Sequence, residues 1–160
     1  MTALIRLDTA SADDAPAIAV MAGELLNEIM HATGTPAFRF SLAETTARLK
    51  AFLEQEKYHV LVARAAADGR EAGFVALYES FALYAEGAFG TIAELYVRPE
   101  QRSKNVGQLL INGAKALGSA RQWKRLEVTT PPLPQFDRTL AFYEREGFGI
   151  TGGRKLKAAL

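Results

Sequence analysis

Three runs in the middle of the chain, Tyr58 to Arg64, Gly73 to Tyr84 and Gly90 to Val97, are rich in Val, Phe, Tyr and Leu. They are separated by Asp68-Gly69 and Glu86-Gly87. Aromatic and β-branched runs punctuated by such dipeptides are the signals of an antiparallel meander, around which everything else must be arranged.

The flanking segments supply the covering elements. Leu4 to Leu7 alternates apolar and polar residues and predicts a first strand. Ile18, Met21, Ala22, Leu25, Leu26 and Ile29 recur at helical spacing behind a Ser11 to Asp14 cluster positioned to cap the helix. A turn-rich connector, His31 to Phe40, follows. Ser41 with Glu44 reads as a capping box for a second amphipathic helix through Leu42, Thr45, Leu49, Phe52 and Leu53. After Pro99, the spacing of Val106, Leu109, Leu110, Ala114 and Leu117 predicts a third helix. Leu126 to Thr130 reads as a buried strand ended by prolines. Asp137 is expected to cap a short helix to about Glu146, stopped by Gly147, with a last strand from about Phe148. The predicted order is β α α β β β α β α β, with no repeats or linkers. The fold class is α/β of the α+β kind: a mixed, mostly antiparallel central sheet flanked by helices, in a single domain over residues 1–160.

Composition narrows the function. Nineteen Lys and Arg against 18 Asp and Glu give a net charge of +1, without the basic excess that displaces counterions from nucleic acid, so no nucleic-acid partner is expected. The absence of cysteine excludes disulfides, thiolate zinc sites and a cysteine nucleophile. The N-terminal residues Met1 to Leu7 do not read as a signal peptide, and no stretch approaches the roughly 18 apolar residues of a membrane span. The expectation is a cytoplasmic protein with no membrane partner.

Some motifs mislead. Gly147 to Gly152 spells GxGxxG, but a helix precedes it and the chain ends eight residues later, whereas a dinucleotide fingerprint needs a strand before and a helix after. His31 and His59 stand in no metal-ligand pattern, so no metal is expected. There is no GxSxG nucleophile elbow and no P-loop.

The informative segment is Ile92 to Leu110. The strand Glu94-Leu95-Tyr96-Val97 passes through Arg98 to Gly107 into the third helix. A strand entering a helix through a small-residue turn leaves backbone N–H groups pointing outward, a ready anion site. Arg102 and Lys104 add positive charge, and Asn105 and Gly107 are best able to take left-handed or close-approach backbone conformations.

Arg102-Ser103-Lys104-Asn105-Val106-Gly107 resembles the pyrophosphate-binding signature [QR]-x-x-G-x-[GA] of the GNAT superfamily of acetyl-CoA-dependent N-acetyltransferases, with Asn105 in place of the first glycine. Ala141-Phe142-Tyr143-Glu144-Arg145-Glu146-Gly147-Phe148 is similar to that family's A-x-F-Y-x-x-x-G-F segment. The order of elements is also that family's. One departure is Phe136, where the family often has an asparagine.

The resemblance implies that acetyl-CoA is the cosubstrate and lies where the Glu94 to Val97 strand splays from the Leu126 to Thr130 strand. Backbone groups of Leu95, Tyr96 and Val97 would pair with its pantetheine arm. Those of Ser103, Lys104, Asn105, Val106, Gly107 and Gln108, beside Arg102, would hold its pyrophosphate. It further implies direct acetyl transfer to an amine acceptor (a small-molecule amine, an amino sugar or a peptide amine), with Glu94 as general base and Tyr143 as general acid and cofactor contact. Glu28, Met30, His31, Phe38 and Phe40 on one side, and Tyr78, Phe81 and Tyr84 on the other, are expected to wall the acceptor. Core packing or a homodimer interface accounts for these aromatics equally well. The competing reading is a non-catalytic acyl-CoA-binding or regulatory protein of the same fold.

Overall fold

The computed structural model describes residues 4–160, so Met1–Ala3, part of the segment read as carrying no signal peptide, lie outside the described residues. The order is β1 (Ile5–Thr9), α1 (Ala15–Thr33), α2 (Leu42–Glu54), β2 (His59–Ala65), β3 (Glu71–Ala82), β4 (Gly87–Val97), α3 (Val106–Ala120), β5 (Leu126–Val128) and α4 (Asp137–Arg145). Single 3-10 turns precede α1 and follow β4. The chain divides into two compact units, up to Thr129 and from Thr130.

The first unit contains the whole sheet, in the order β1-β2-β3-β4-β5. The meander β2-β3-β4 is antiparallel, β1 joins antiparallel to β2, and β5 lies parallel to β4. Strand alternation sorts the core into two layers. Val60, Val62, Phe74, Ala76 and Tyr96 pack with Ala15, Ile18 and Met21 of α1 and Leu49 of α2. On the opposite face, Gly113 of α3 comes so close that an added Cβ would lie 2.7 Å from Leu7 and 2.9 Å from Leu61. The helices thus cover both faces, as expected for two half-apolar surfaces that must each leave water.

Local chemistry sets the helix ends. The Ser11 N–H donates to the Asp14 carboxylate at 2.8 Å, and the same Asp14 accepts from Arg64 at 2.8 Å, tying the entry of α1 to β2. Gly34, at φ 68, closes α1 by donating to Met30 O at 2.9 Å, which only a left-handed residue does readily. α1 therefore runs three residues into the predicted connector, and His31 lies in its last turn. The Ser41 hydroxyl accepts from Glu44 N–H at 3.3 Å at the start of α2.

One irregularity in the register shapes β4. Ala76 faces Glu94 while Leu77 faces Ile92, so Ala93 is an extra residue, a bulge. Counting through it, Thr91 and Glu94 fall on the same face. β2 begins at His59, opposite Leu77, so residues 78–82 of β3 pair only with β4.

In the second unit, α4 closes with a Schellman motif: Phe148 N–H donates to Tyr143 O and Gly147 N–H to Glu144 O. Gly147 sits at φ 97, and the Phe148 ring meets Tyr143 edge-on at 5.4 Å.

Four expectations are corrected. No strand follows α4 among the described residues: the Phe148 amide is spent on the helix closure, and Gly149, Gly152 and Gly153 offer no side chains to pack. β5 stops at Val128 and is half-buried, because the prolines that follow cannot continue a ladder. Asp137 is the first residue of α4, not its cap; Phe136 holds that position without a side-chain bond. Gly107 is the second residue of α3, so the left-handed residues of the preceding turn are Ser103 and Asn105, both at φ 63.

Candidate functional site

The site begins where two strands part. β5 pairs with β4 only from Gly90 opposite Leu126 to Ile92 opposite Val128, and β4 continues alone through Val97. Arg98 N–H donates to Ala72 O at 2.8 Å, so by strand alternation the backbone groups of Val97 and Leu95 point away from β3, toward the side β5 has vacated. The bulge at Ala93 marks the parting. Gly90 makes room just below it, since a Cβ there would overlap the Trp123 ring.

This open edge leads directly into the turn before α3. Left-handed conformations at Ser103 and Asn105 alternate with ordinary ones, which turns successive N–H groups to one side. Among the described residues, the backbone N–H groups of residues 103–107 find no hydrogen-bond acceptor. Residues 103–105 are exposed, while Val106 is buried and anchors the turn. Unpaired N–H groups at the positive end of a 15-residue helix form an anion-binding concavity.

Arg102 is held, not loose. Its guanidinium meets both carboxylate oxygens of Glu28 at 2.7 and 2.8 Å, its Nε donates to Val97 O at 2.9 Å, and it lies 5.7 Å from the Tyr96 ring centre. One turn earlier on α1, Glu24 pairs with Arg98 at 3.3 Å, and Arg98 also donates to Glu71 O. Two acids four residues apart on α1 thus clasp the end of β4. Sequence reading placed Glu28 on the acceptor wall and missed both Glu24 and the clasp. An i, i+4 acid pair opposite two arginines was the available signal.

Glu94 leaves the bulge on the face covered by α1 and α2. Tyr58, just before β2, donates from its hydroxyl to Glu94 Oε1 at 3.4 Å. The Tyr58 ring lies parallel to Tyr78 with centres 6.3 Å apart and tilts against Phe52 at 5.1 Å. Burial pushes the Glu94 carboxyl above its ordinary value, and the Tyr58 bond draws it partly back. Burial also pushes the Tyr58 phenol up, with the Glu94 charge adding to it, so it stays a protonated donor.

Tyr143, in the second unit, is buried between Phe142 and Phe148, both at 5.4 Å. That burial raises its phenol, so it too stays protonated.

The structure therefore joins Glu28 to Arg102 of the turn, and links Tyr78 to Glu94 only through the intervening Tyr58. Among the described residues, no hydrogen bond, ion pair or ring contact ties His31 or Phe38 to the other predicted site residues. His31 is exposed, Phe38 is 42% exposed, and Tyr84 stands out at the β3–β4 hairpin tip, 77% exposed, beneath Arg125. Phe40 packs against α1 so closely that a Cβ on Gly23 would lie 2.6 Å from its ring. Tyr58 was read only as a strand residue. Its link to Glu94 depends on the register through the bulge, which no local pattern announces. Among the described residues, no helix is long and apolar enough to cross a membrane, and no group of three His, Asp or Glu is placed to hold a metal ion.

Comparison with known proteins bears on the family and the fold. Residues 56–150 match the profile of the acetyltransferase (GNAT) domain. No curated protein sequence matches the chain. Among solved structures, the fold is shared with an integron cassette protein from the mobile metagenome of Cole Harbour Salt Marsh (TM-score 0.77, 22% identity, 96% of this chain and 90% of that one). It is shared also with a ribosomal-protein-alanine N-acetyltransferase from Brucella melitensis biovar Abortus 2308 (0.75, 19%, 98% and 99%). A third is a predicted acetyltransferase with acetyl-CoA from Clostridium acetobutylicum (0.77, 14%, 96% and 96%).

Proposed function

The chain belongs to the GNAT acetyltransferase family, and from that premise we propose that it moves the acetyl group of acetyl-CoA directly onto an amine. The observation that carries the reading is the continuity of the open β4 edge, with Leu95 and Val97 turned outward, into the unpaired N–H groups of residues 103–107. An extended amide arm followed by a pyrophosphate requires that sequence of partners: strand-like backbone groups, then an anion concavity. The family match runs through both units, which supports reading residues 1–160 as one transferase domain.

Acetyl-CoA supplies an acyl group activated as a thioester. The Leu95, Tyr96 and Val97 segment orients the arm, and one of its N–H groups polarises the thioester carbonyl. The amides of Ser103 to Gln108 hold the pyrophosphate, with the exposed Lys104 adding charge. Arg102 contributes by fixing the turn to Val97 and to α1. An amine of lysine type, with a pKa of about 10.4, must lose a proton to attack. Glu94 Oε1 is engaged by Tyr58, which leaves Oε2 to take that proton, and a raised carboxyl is a better base than a solvated one. Tyr143 Oη is assigned the donor to the departing sulfur by its sequence motif. A neutral phenol delivers the proton without carrying charge into a dry site. With no cysteine in the chain, the acyl group does not pass through a thiol of the protein.

The test pairs binding with turnover. In Gly107→Val, a branched side chain enters the first turn of α3, and calorimetric acetyl-CoA affinity is expected to fall by more than tenfold, about 1.4 kcal/mol. Thiol release over an amine panel is expected from the wild type. Unchanged affinity in a folded Gly107→Val protein removes the site assignment, and absent thiol release with acetyl-CoA bound removes the transfer.

A further inference from the structure

Beyond Leu77, β3 has β4 on one side and no strand on the other. The direction of its unclaimed backbone groups follows from β5. Gly90 N–H donates to Arg125 O at 2.9 Å and Ala88 O accepts from Lys124 N–H at 3.1 Å, so both residues turn away from β3. Their β3 partners, Glu79 and Phe81, therefore turn the opposite way, out of the vacated edge. Among the described residues, the N–H and C=O groups of Glu79 and Phe81 find no hydrogen-bond partner. Natural sheets guard such edges with charges, proline or a bulge. Tyr78-Glu79-Ser80-Phe81-Ala82 has no proline, and its one charge, Glu79, is approached by Arg121 at 3.8 Å.

The edge borders a groove of about 420 Å³ whose walls lie on both faces of the sheet, with residues 56–58 at one end. Tyr78 shares the face of Ala76 and Glu94, whereas Glu79, beside Arg121 at the end of α3, and Phe81 share the other. A small ligand does not reach around a strand to both faces. An added strand does, because its side chains alternate while its backbone meets the edge between them. The same hairpin carries three exposed apolar side chains within four residues: Phe81, Leu83 and Tyr84 are 75, 100 and 77% exposed.

We propose that this edge is an interface between two copies of the chain, paired antiparallel about a two-fold axis at Phe81. An axis on Glu79 would oppose two carboxylates. On Ser80 it would set Ala82 of the copy opposite Tyr78, a place already filled by Tyr58, which precedes the His59 paired with Leu77. On Ala82 the ladder would run into the hairpin turn. On Phe81 none of these conflicts arises. The two Phe81 residues exchange backbone hydrogen bonds and set ring against ring, with Ser80 opposite Ala82 of the copy. Leu83 of the copy then enters the groove at the place Lys57 leaves, since the Lys57 N–H turns back to Phe52 O at 2.8 Å. At about 150–250 Å² for a whole aromatic side chain, the three exposed residues offer roughly 450 Å² per copy. The pair thus buries close to the roughly 1,000 Å² of a weak specific interface, which sets the affinity in the micromolar range.

Sedimentation equilibrium of the full chain from about 1 to about 500 µM is expected to show exchange between monomer and dimer, with a Kd of about 10–100 µM. Hydrogen exchange at the Phe81 amide is expected to slow severalfold over the same range. Phe81→Lys and Phe81→Glu change a side chain exposed in the monomer, and each alone sets like charges together on the axis. Each is expected to weaken the dimer at least tenfold. Mixed one to one, they oppose Lys to Glu and are expected to recover it to within about fivefold of wild type. Leu83→Asp, at a fully exposed turn residue, brings a carboxylate beside Glu79 of the other copy and is expected to weaken the dimer at least fivefold. A wild type that stays monomeric throughout overturns the pairing and leaves the edge to an extended segment of another protein. A dimer indifferent to the three substitutions overturns it by placing the interface elsewhere. A mixture of the Phe81 variants that stays monomeric overturns the axis.

Discussion

Tyr58→Phe isolates one hydrogen bond. The ring remains against Tyr78 and Phe52, so packing is preserved, and the only group lost is the hydroxyl that donates to Glu94 Oε1 at 3.4 Å. Hydrogen bonds to charged groups contribute about 1.5–3 kcal/mol at good geometry. At 3.4 Å, beyond the usual 2.5–3.0 Å range for O–H···O, about 1 kcal/mol or less is the reasonable figure. Because that bond favours the ionised carboxylate, its loss raises the Glu94 pKa further, and about 1 kcal/mol corresponds to roughly 0.7 of a pH unit. Tyr58 is itself held protonated by burial, so it donates across the whole working range and adds no titration of its own. Two assays read the change: carbon-13 titration of the Glu94 carboxyl, and the acid limb of kcat/KM against pH. Both are expected to move upward together. Activity falls severalfold on the acid side and converges with wild type once Glu94 is fully ionised. A carboxyl titration that stays in place, or moves down, would refute the assignment of Tyr58 as the group that tunes Glu94.

Burial raises Glu94 in the folded protein, so its contribution to stability is fully present below the unfolded carboxyl pKa and is lost as pH rises through the folded one. Glu94→Gln should abolish that loss, and melting temperatures of the two proteins measured from pH 4 to 8 should diverge in its favour toward the alkaline end. Gly73→Ala drives a Cβ into the backbone carbonyl of Tyr96, which has no side-chain freedom to yield; it should cost about 2 kcal/mol and lower Tm by about 4–8 °C in calorimetry. Asn105→Gly keeps the left-handed residue at the start of α3 and should leave acetyl-CoA affinity within twofold, whereas Asn105→Val, strained there by about 1–2 kcal/mol, should weaken it.

The parts of this fold that sequence made legible are those encoded within a few residues. Asp68-Gly69 and Glu86-Gly87 mark the meander turns, Ser41 with Glu44 marks the start of α2, and the Arg102 to Gly107 spacing marks the anion turn before α3. What escaped is set by pairings between distant residues. Phe148 reads as strand by its neighbours, yet its amide closes α4, because Gly147 makes the Schellman turn cheaper than extension. Arg102 reads as free positive charge for a phosphate, yet Glu28, 74 residues away, holds it in a bidentate pair, so the turn offers an anion backbone dipoles more than free side-chain charge. The bulge is the most consequential case. Ala93 carries no signal of its own, and strict alternation from Thr91 would place Glu94 on the α3 face. One unpaired residue reverses that. It brings the carboxylate to the face where Tyr58 and Tyr78 stand, and it does so at the residue where β5 leaves β4. In the proposed transfer, the same irregularity opens the edge for the thioester arm and aims the base, so both requirements of that proposal rest on a single local break in the ladder.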